Sequence, residues 1–192
     1  MACALRFSDF QLERETRAMA KNDMAQLEIL VKGEVEPTAD IGKQGVNEIS
    51  NGLRHLLVDV FVLYLKTKNF HWHMRGRHFR DYHLLLDEQS EQIFAMTDDI
   101  AERARKIGAR TIRSVGEVAR HQRLKDNDKE SVTPEEMITE LRTDNRELTR
   151  FLRLMRGICE KHNDVASASM METWIDQTER RTWFLSEICR DF

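Results

Sequence analysis

Apolar residues recur at alternating intervals of three and four through four long segments, and only two prolines interrupt the 192 residues. This spacing places them on one face of a helix with ~3.6 residues per turn, which predicts an all-α fold. Thr133-Pro134-Glu135-Glu136 marks one helix start, because threonine can cap the first turn while Glu136 closes a capping box. The predicted helices run from about Val46 to His73, His78 to Ile107, Pro134 to His162, and Asn163 or Asp164 to Ile188.

The connections between these helices limit how they can be arranged. Short links join the first helix to the second and the third to the fourth, whereas residues 109–132 form a long crossover, with a short helix predicted at Val115–His121. One long crossover favours a ferritin-like four-helix bundle over a simple up-down bundle. We therefore predict one domain at 46–192. Residues 1–45 are interpreted as a partly flexible N-terminal extension, with a frayed helix at Arg14–Lys32 and a linker at Gly33–Gly45.

Charge and cysteine content argue against several classes of function. The net charge of −3 gives no overall signal for nucleic-acid binding. The chain has no apolar run of membrane length, and its first residues lack the apolar core of a signal peptide. Cys3, Cys159 and Cys189 are odd in number and widely spaced, which is typical of free thiols in a reducing compartment. We therefore expect a cytoplasmic protein without a membrane partner.

The second predicted helix carries a polar stripe formed by His83, Asp87, Asp98 and Glu102. At ~100° per residue, these four positions fall within about 100° of arc, on the side away from the apolar residues of the same helix. They form two i,i+4 pairs, and the inner members of the pairs are about 16 Å apart at ~1.5 Å per residue. One chain cannot bring both pairs to one metal ion. A second copy laid antiparallel across a two-fold axis can, so we predict metal sites between subunits.

The same four residues are also compatible with a solvated acidic surface, which is common in a chain with 33% charged residues. Phe94 lies inside the stripe and Leu84 at its edge. Apolar side chains on a face turned away from the core favour burial against a partner over exposure to solvent. A third interpretation, a helical oligomer that binds no metal, leaves this outward stripe unexplained.

Other polar residues have a functional and an ordinary interpretation. A tight turn after the first helix brings His71 close to His83, so His71 is a predicted third ligand. Its neighbour Trp72 is either a core aromatic or an oxidisable electron donor near a redox metal. His55 and Asp59 are interpreted as solvated surface. An acidic face of the third helix is either solvated or, around a three-fold axis, an entrance for iron; it comprises Glu140, Asp144 and Glu147.

The run from Lys66 to Gly76 (KTKNFHWHMRG), followed by the spacing of the stripe, closely resembles the Dps family, the DNA-binding proteins from starved cells or mini-ferritins. The resemblance extends from about Val46 to Ile188. It implies a ferroxidase that oxidises Fe(II) with hydrogen peroxide, or more slowly with O2, and stores Fe(III) mineral in a hollow dodecamer. It also implies that one subunit contributes three ligands and its two-fold mate two. These are His71, His83 and Asp87 from one, and Asp98 and Glu102 from the other.

Two alternatives remain in view. Larger ferritins and manganese catalases build a dinuclear site inside one bundle from Glu-x-x-His motifs, and this sequence contains none. The second alternative is a non-enzymatic shell protein that compacts DNA in the nucleoid. Residues 1–40 carry five Lys and Arg against eight Asp and Glu, a net charge of −3. Because phosphate binding depends on clustered Lys and Arg, we do not extend DNA binding to this chain.

Overall fold

The computed structural model describes residues 40–191, which form five α-helices and no strand. The helices are α1 (Lys43–His73), α2 (Phe79–Lys106), α3 (Val115–His121), α4 (Pro134–Lys161) and α5 (Val165–Ile188), and a 3₁₀ turn follows at Cys189–Asp191. α1 packs on α2, α4 packs on α5, and α1 also contacts α4. The predicted all-α bundle is confirmed, with α3 in the long crossover. The predicted helix at Arg14–Lys32 lies outside the described residues.

Local sequence explains where the helices begin and end. Thr133 accepts a hydrogen bond from the Glu136 amide, and the Glu136 carboxylate accepts one from the Thr133 amide, which completes the capping box. Asp164 caps α5 by accepting from the Ser167 amide at 3.0 Å. Gly108 ends α2 with φ +85°, a conformation that favours glycine. α1 begins at Lys43, so Gly45, which we had placed in the linker, lies buried in its first turn.

The core is made by the apolar stripes of the four long helices. The predicted stripe of α1 is buried from Ile49 to Leu63, and that of α2 is buried at Leu86, Ile93, Met96 and Ile100. α4 adds Leu141, Leu148, Leu152 and the Cys159 thiol. α1 and α4 approach closely where Gly52 faces Met155, because a Cβ on Gly52 would lie 1.9 Å from the methionine sulfur.

The core also contains cations. The Lys66 ammonium lies 2.8 Å from Asp144 Oδ2 and 2.8 Å from Glu140 Oε1, which joins α1 to α4. Arg181 of α5 is 1% exposed and donates to Asn145 Oδ1 at 3.0 Å and Thr178 Oγ1 at 2.8 Å. Burial lowers the pKa of Arg181 to about 10. These hydrogen bonds offset part of the cost of placing charge in the bundle interior.

Two interpretations of surface and core residues are wrong. Asp59 is buried rather than solvated, and its carboxylate binds the Arg123 guanidinium of the crossover. Of the two interpretations of Trp72, the core aromatic is wrong, because the residue is 61% exposed, and Trp183 is exposed as well. His73 and His78 are also exposed. Within 40–191, no helix combines the length and the hydropathy needed to cross a bilayer.

Candidate metal site

The end of α1 and the start of α2 are joined by two histidines. His71 Nδ1 lies 2.8 Å from the main-chain oxygen of His83, and His83 Nδ1 lies 2.9 Å from the main-chain oxygen of His71. The two rings stack with their centroids 3.8 Å apart. A carbonyl oxygen can only accept a hydrogen bond, so each Nδ1 carries a proton and each neutral ring keeps its lone pair on Nε2. Both imidazoles are therefore held in the tautomer that binds a metal through Nε2.

Asp87 lies one helical turn after His83 and completes this half of the site. Its Oδ1 is 3.8 Å from His71 Nε2 and also accepts a short hydrogen bond from the Lys68 ammonium. The hydrogen bond from Lys68 lowers the pKa of the Asp87 carboxyl, which keeps it ionised. The structure thus places the three ligands predicted for one subunit next to one another at the junction of α1 and α2, although not closely enough for the three alone to hold a metal ion.

Lys68 is a site residue that the sequence analysis missed. It precedes His71 by three residues, so both side chains lie on the same face of α1. That spacing could have indicated its position, but it could not show that the ammonium reaches Asp87. Lys68 places a positive charge where a cation bound by Asp87 would also lie, so a metal ion and Lys68 compete for this carboxylate.

Asp98 and Glu102 lie farther along α2 and do not reach the histidines. Both are exposed, and Glu102 pairs with Lys106 at 3.0 Å. Within the part of the chain that the structure describes, no three His, Cys, Asp or Glu side chains come together closely enough to hold a metal ion. The site in a single protomer therefore consists of two separate halves on the same helix.

An apolar groove of about 700 Å³ lies beside Asp98, between α1, α2 and α3. Leu57, Phe61 and Leu65 of α1 and Val115 and Val118 of α3 line it. Large apolar side chains are also exposed on the neighbouring surface of α1 and α2, at Trp72, Phe79, Leu84 and Phe94. A face that stays in contact with solvent rarely exposes this much apolar surface, and these side chains lie near both halves of the site.

The three acidic residues of α4 do not form one solvated face. Asp144 is buried and both it and Glu140 are bound by Lys66, whereas Glu147 is exposed and pairs with Arg150. The pKa of Asp144 is raised, because burial outweighs its hydrogen bond with Lys66. Lys66 therefore neutralises part of the negative charge that would attract a cation to this helix.

Comparisons with known proteins give concordant results. A family model described as a ferritin-like domain matches residues 50–192. The DNA protection during starvation protein 1 of Deinococcus radiodurans is 30% identical over 150 residues, which cover 74% of this chain and 69% of that protein. The DNA protection during starvation protein of Helicobacter pylori is 27% identical over 133 residues, which cover 69% of this chain and 92% of that protein.

Solved structures are similar in fold. An archaeal Dps homologue from Halobacterium salinarum superposes with a TM-score of 0.77 at 23% identity, covering 84% of this chain and 91% of that chain. A Dps protein from Vibrio cholerae O1, described as a member of a broad superfamily of ferritin-like diiron-carboxylate proteins, gives a TM-score of 0.73 at 21% identity. That superposition covers 77% of this chain and 92% of the other.

Proposed function

The chain belongs to the ferritin-like family, in its DNA protection during starvation (Dps) branch, and from this premise we propose that it is a ferroxidase mini-ferritin. It oxidises Fe(II) with hydrogen peroxide, or more slowly with O2, and keeps the Fe(III) product as mineral inside a hollow dodecamer. The observation that carries this proposal is the pair His71 and His83, whose Nε2 lone pairs are free beside the ionised Asp87.

Two copies complete each site. Consider two α2 helices paired antiparallel, with the two-fold axis between residues 92 and 93. In this register His83 of one copy lies opposite Glu102 of the other, and Asp87 lies opposite Asp98. Both halves therefore meet in a single register, twice per dimer. The same register sets the exposed Leu84 opposite Ala101 of the second copy, which lines the apolar groove. The apolar side chains around the site are then buried on pairing, which supplies a driving force for it.

The residue types suit iron as the substrate. Imidazole nitrogens and carboxylate oxygens bind Fe(II), and carboxylates favour the harder Fe(III) product. Hydrogen peroxide takes up two electrons and two protons as its O–O bond breaks and yields two waters, while two Fe(II) ions give one electron each. Five ligands hold one iron firmly, so a second iron is bound more weakly. Binding of iron by Asp87 displaces the Lys68 ammonium, which is half-buried and flexible enough to withdraw.

Trp72 and the acidic residues of α4 have supporting roles in this proposal. The Trp72 indole follows His71 directly and is 61% exposed, so it can give an electron when only one iron is available. Glu140, Asp144 and Glu147 remain our assignment for an iron entrance around a three-fold axis. Lys66 holds Asp144 and one oxygen of Glu140 in the interior, whereas Glu147 is exposed and its pair with Arg150 lies at the surface, where ion pairs are weak, so Glu147 is the member most accessible to iron.

The alternative is a shell that compacts DNA without oxidising iron. α4 does present a row of exposed arginines, but Arg150 pairs with Glu147 and Arg153 pairs with Glu179. Arginines held by carboxylates release few counterions on meeting phosphate, so we expect free DNA in a gel-shift assay at about 150 mM salt. Tight retardation of plasmid DNA there would favour the alternative.

The test separates ferroxidase activity from its location between subunits. Fe(II) is added anaerobically to the assembled protein, followed by peroxide or O2 separately. The variants His83→Gln/Asp87→Asn and Asp98→Asn/Glu102→Gln should each lose rapid oxidation, whereas Asp99→Asn, an exposed carboxylate outside the stripe, should not. Oligomers reassembled from both double variants should regain activity, since a mixed dimer holds one intact site. No recovery in confirmed mixed oligomers would refute the shared site, and rapid oxidation by both double variants would refute the ligand assignment.

A further inference from the structure

Helix α3 is attached to the bundle without a buried residue. None of the seven side chains of Val115–His121 is buried, although Val118 packs partly against the core. Ser114 caps its first turn, which stabilises the helix itself but does not attach it to α1. A seven-residue helix is not stable in isolation, so α3 depends on contacts made at its ends.

The contacts at the C-terminal end of α3 form a clasp of His55, Asp59, His121 and Arg123. The His121 ring meets the His55 ring of α1 edge-on, with centroids 5.9 Å apart. Arg123, two residues later, binds both carboxylate oxygens of Asp59, one turn farther along α1. The Arg123 guanidinium also lies 3.6 Å from the centre of the Phe151 ring of α4. The clasp therefore holds the crossover against two long helices.

Positive charge dominates the surroundings of His55. Arg54 of α1, His121 of α3 and Arg123 of the crossover all raise the local potential, and α4 contributes the uncharged Phe151. The carboxylate of Asp59 is already bound by Arg123. His55 Nδ1 is buried and has no hydrogen-bond partner within 40–191. Burial, and then the charge of Arg123, lower the pKa of His55, and a hydrogen bond with the main chain of His121 offsets this only in part, so the clasp favours the neutral ring.

We propose that this clasp is an acid-sensitive latch: when His55 takes up a proton, α3 detaches from α1 and opens the apolar groove. A His55 imidazolium ion would then stand beside Arg54 and Arg123, and the nearby Asp59 carboxylate is already bound by Arg123. Mutual repulsion and the cost of a buried, unpaired cation both favour detachment. None of the four clasp residues is a proposed iron ligand, although Asp98 lines the groove that the clasp closes.

Hydrogen exchange tests the latch on the intact protein. Protection factors of the amides of α3, corrected for the intrinsic pH dependence of exchange, are compared from about pH 7.5 to about pH 5, where histidine titrates. We expect them to fall in the wild type by up to about tenfold for each unit between the bound and released pKa of His55, while α4 keeps its protection. In His55→Gln/His121→Gln the fall should vanish. His73→Gln/His78→Gln removes two exposed histidines and should behave as the wild type.

The single variant His121→Gln provides a second test if the double variant does not fold, since His121 is half-buried and its loss leaves no cavity in the core. It should show a smaller fall than the wild type. Wild-type protection of α3 that is constant to about pH 5 would overturn the proposal. So would a fall of equal size in the double variant, because a titrating group outside the clasp would then be responsible. An equal fall in His121→Gln would also overturn it, because the His121 ring would then not hold α3.

Discussion

His71 and His83 each donate a hydrogen bond from Nδ1 to the main-chain oxygen of the other, at 2.8 and 2.9 Å. The bonds cross the turn between α1 and α2, so one pair of side chains both closes the helical hairpin and presents two metal-binding nitrogens. The two imidazole rings are therefore ordered before a metal binds. Metal binding then loses less free energy to the ordering of these side chains.

His83→Leu should therefore affect stability and metal binding together. The change removes a donor to the end of α1, which we expect to lower the free energy of unfolding by about 1 kcal/mol, and it removes one ligand. His73→Leu is the matched control, because His73 bonds only to Asn69 of its own helix and is exposed. Urea unfolding and anaerobic Fe(II) titration measure the two effects. Equal losses in both variants would contradict the role given to His83.

Two glycines test the packing of α1 on α4. Gly52→Ala places a Cβ 1.9 Å from the sulfur of Met155, which is fully buried and must shift, and should destabilise the protein by about 1–3 kcal/mol. Gly157→Ala, on the exposed side of α4, meets nothing within 4 Å and should stabilise it by about 0.5–1 kcal/mol. Thermal unfolding of both variants should shift in opposite directions. A shift in the same direction would show that the interhelical contact is looser than described.

Lys66→Met tests the buried ion pair. It leaves the Asp144 and Glu140 carboxylates without their cation, which should cost about 3–5 kcal/mol at pH 7. The deficit should shrink as the pH falls, because the pKa of the buried Asp144 carboxyl rises further without Lys66 and this carboxyl then takes up a proton in the folded state. Arg150→Met breaks an exposed pair with Glu147 and should cost at most about 1 kcal/mol. Denaturant unfolding at several pH values distinguishes these outcomes.

Glu48 ties the start of α1 to the turn between α4 and α5. It accepts from His162 at 2.8 Å and Lys161 at 2.9 Å, and these bonds, with that from Gln44, lower the pKa of its carboxyl to about 2. Since the folded pKa is depressed, the stabilisation is complete above the unfolded pKa of about 4.5 and is lost as the pH falls towards 2.

Glu48→Gln should therefore unfold at lower urea concentration than the wild type at pH 7, and the difference should narrow at about pH 3. Asp176→Asn changes an exposed carboxylate that has no ion pair in the described part of the chain and serves as the control. A difference that stays constant with pH would show that the carboxylate charge is not the cause.

Sequence periodicity was sufficient to predict the four long helices, because each buried stripe repeats at helical spacing, whereas the short α3 has no buried stripe. The polar stripe of α2 likewise contains residues of both halves of the metal site that we propose. The positions of Asp59 and Asp144 were not predictable, since each is buried by a cation more than sixty residues distant in sequence. The core was one of two predicted places for Trp72, because aromatic residues are usually buried. Its side chain is exposed in the single protomer, and burial against a second protomer cannot be read from periodicity.

Cys159 gives the bundle a property that suits contact with oxidants. Burial, and then the charge of Asp164, raise the pKa of its thiol to about 12. At neutral pH nearly all of these thiols are protonated, and peroxide reacts with the thiolate rather than the thiol. The buried Cys159 thiol near the end of α4 is thus unreactive, so we expect exposure to peroxide to leave the helix packing free of sulfenic acid and mixed disulfides at this position.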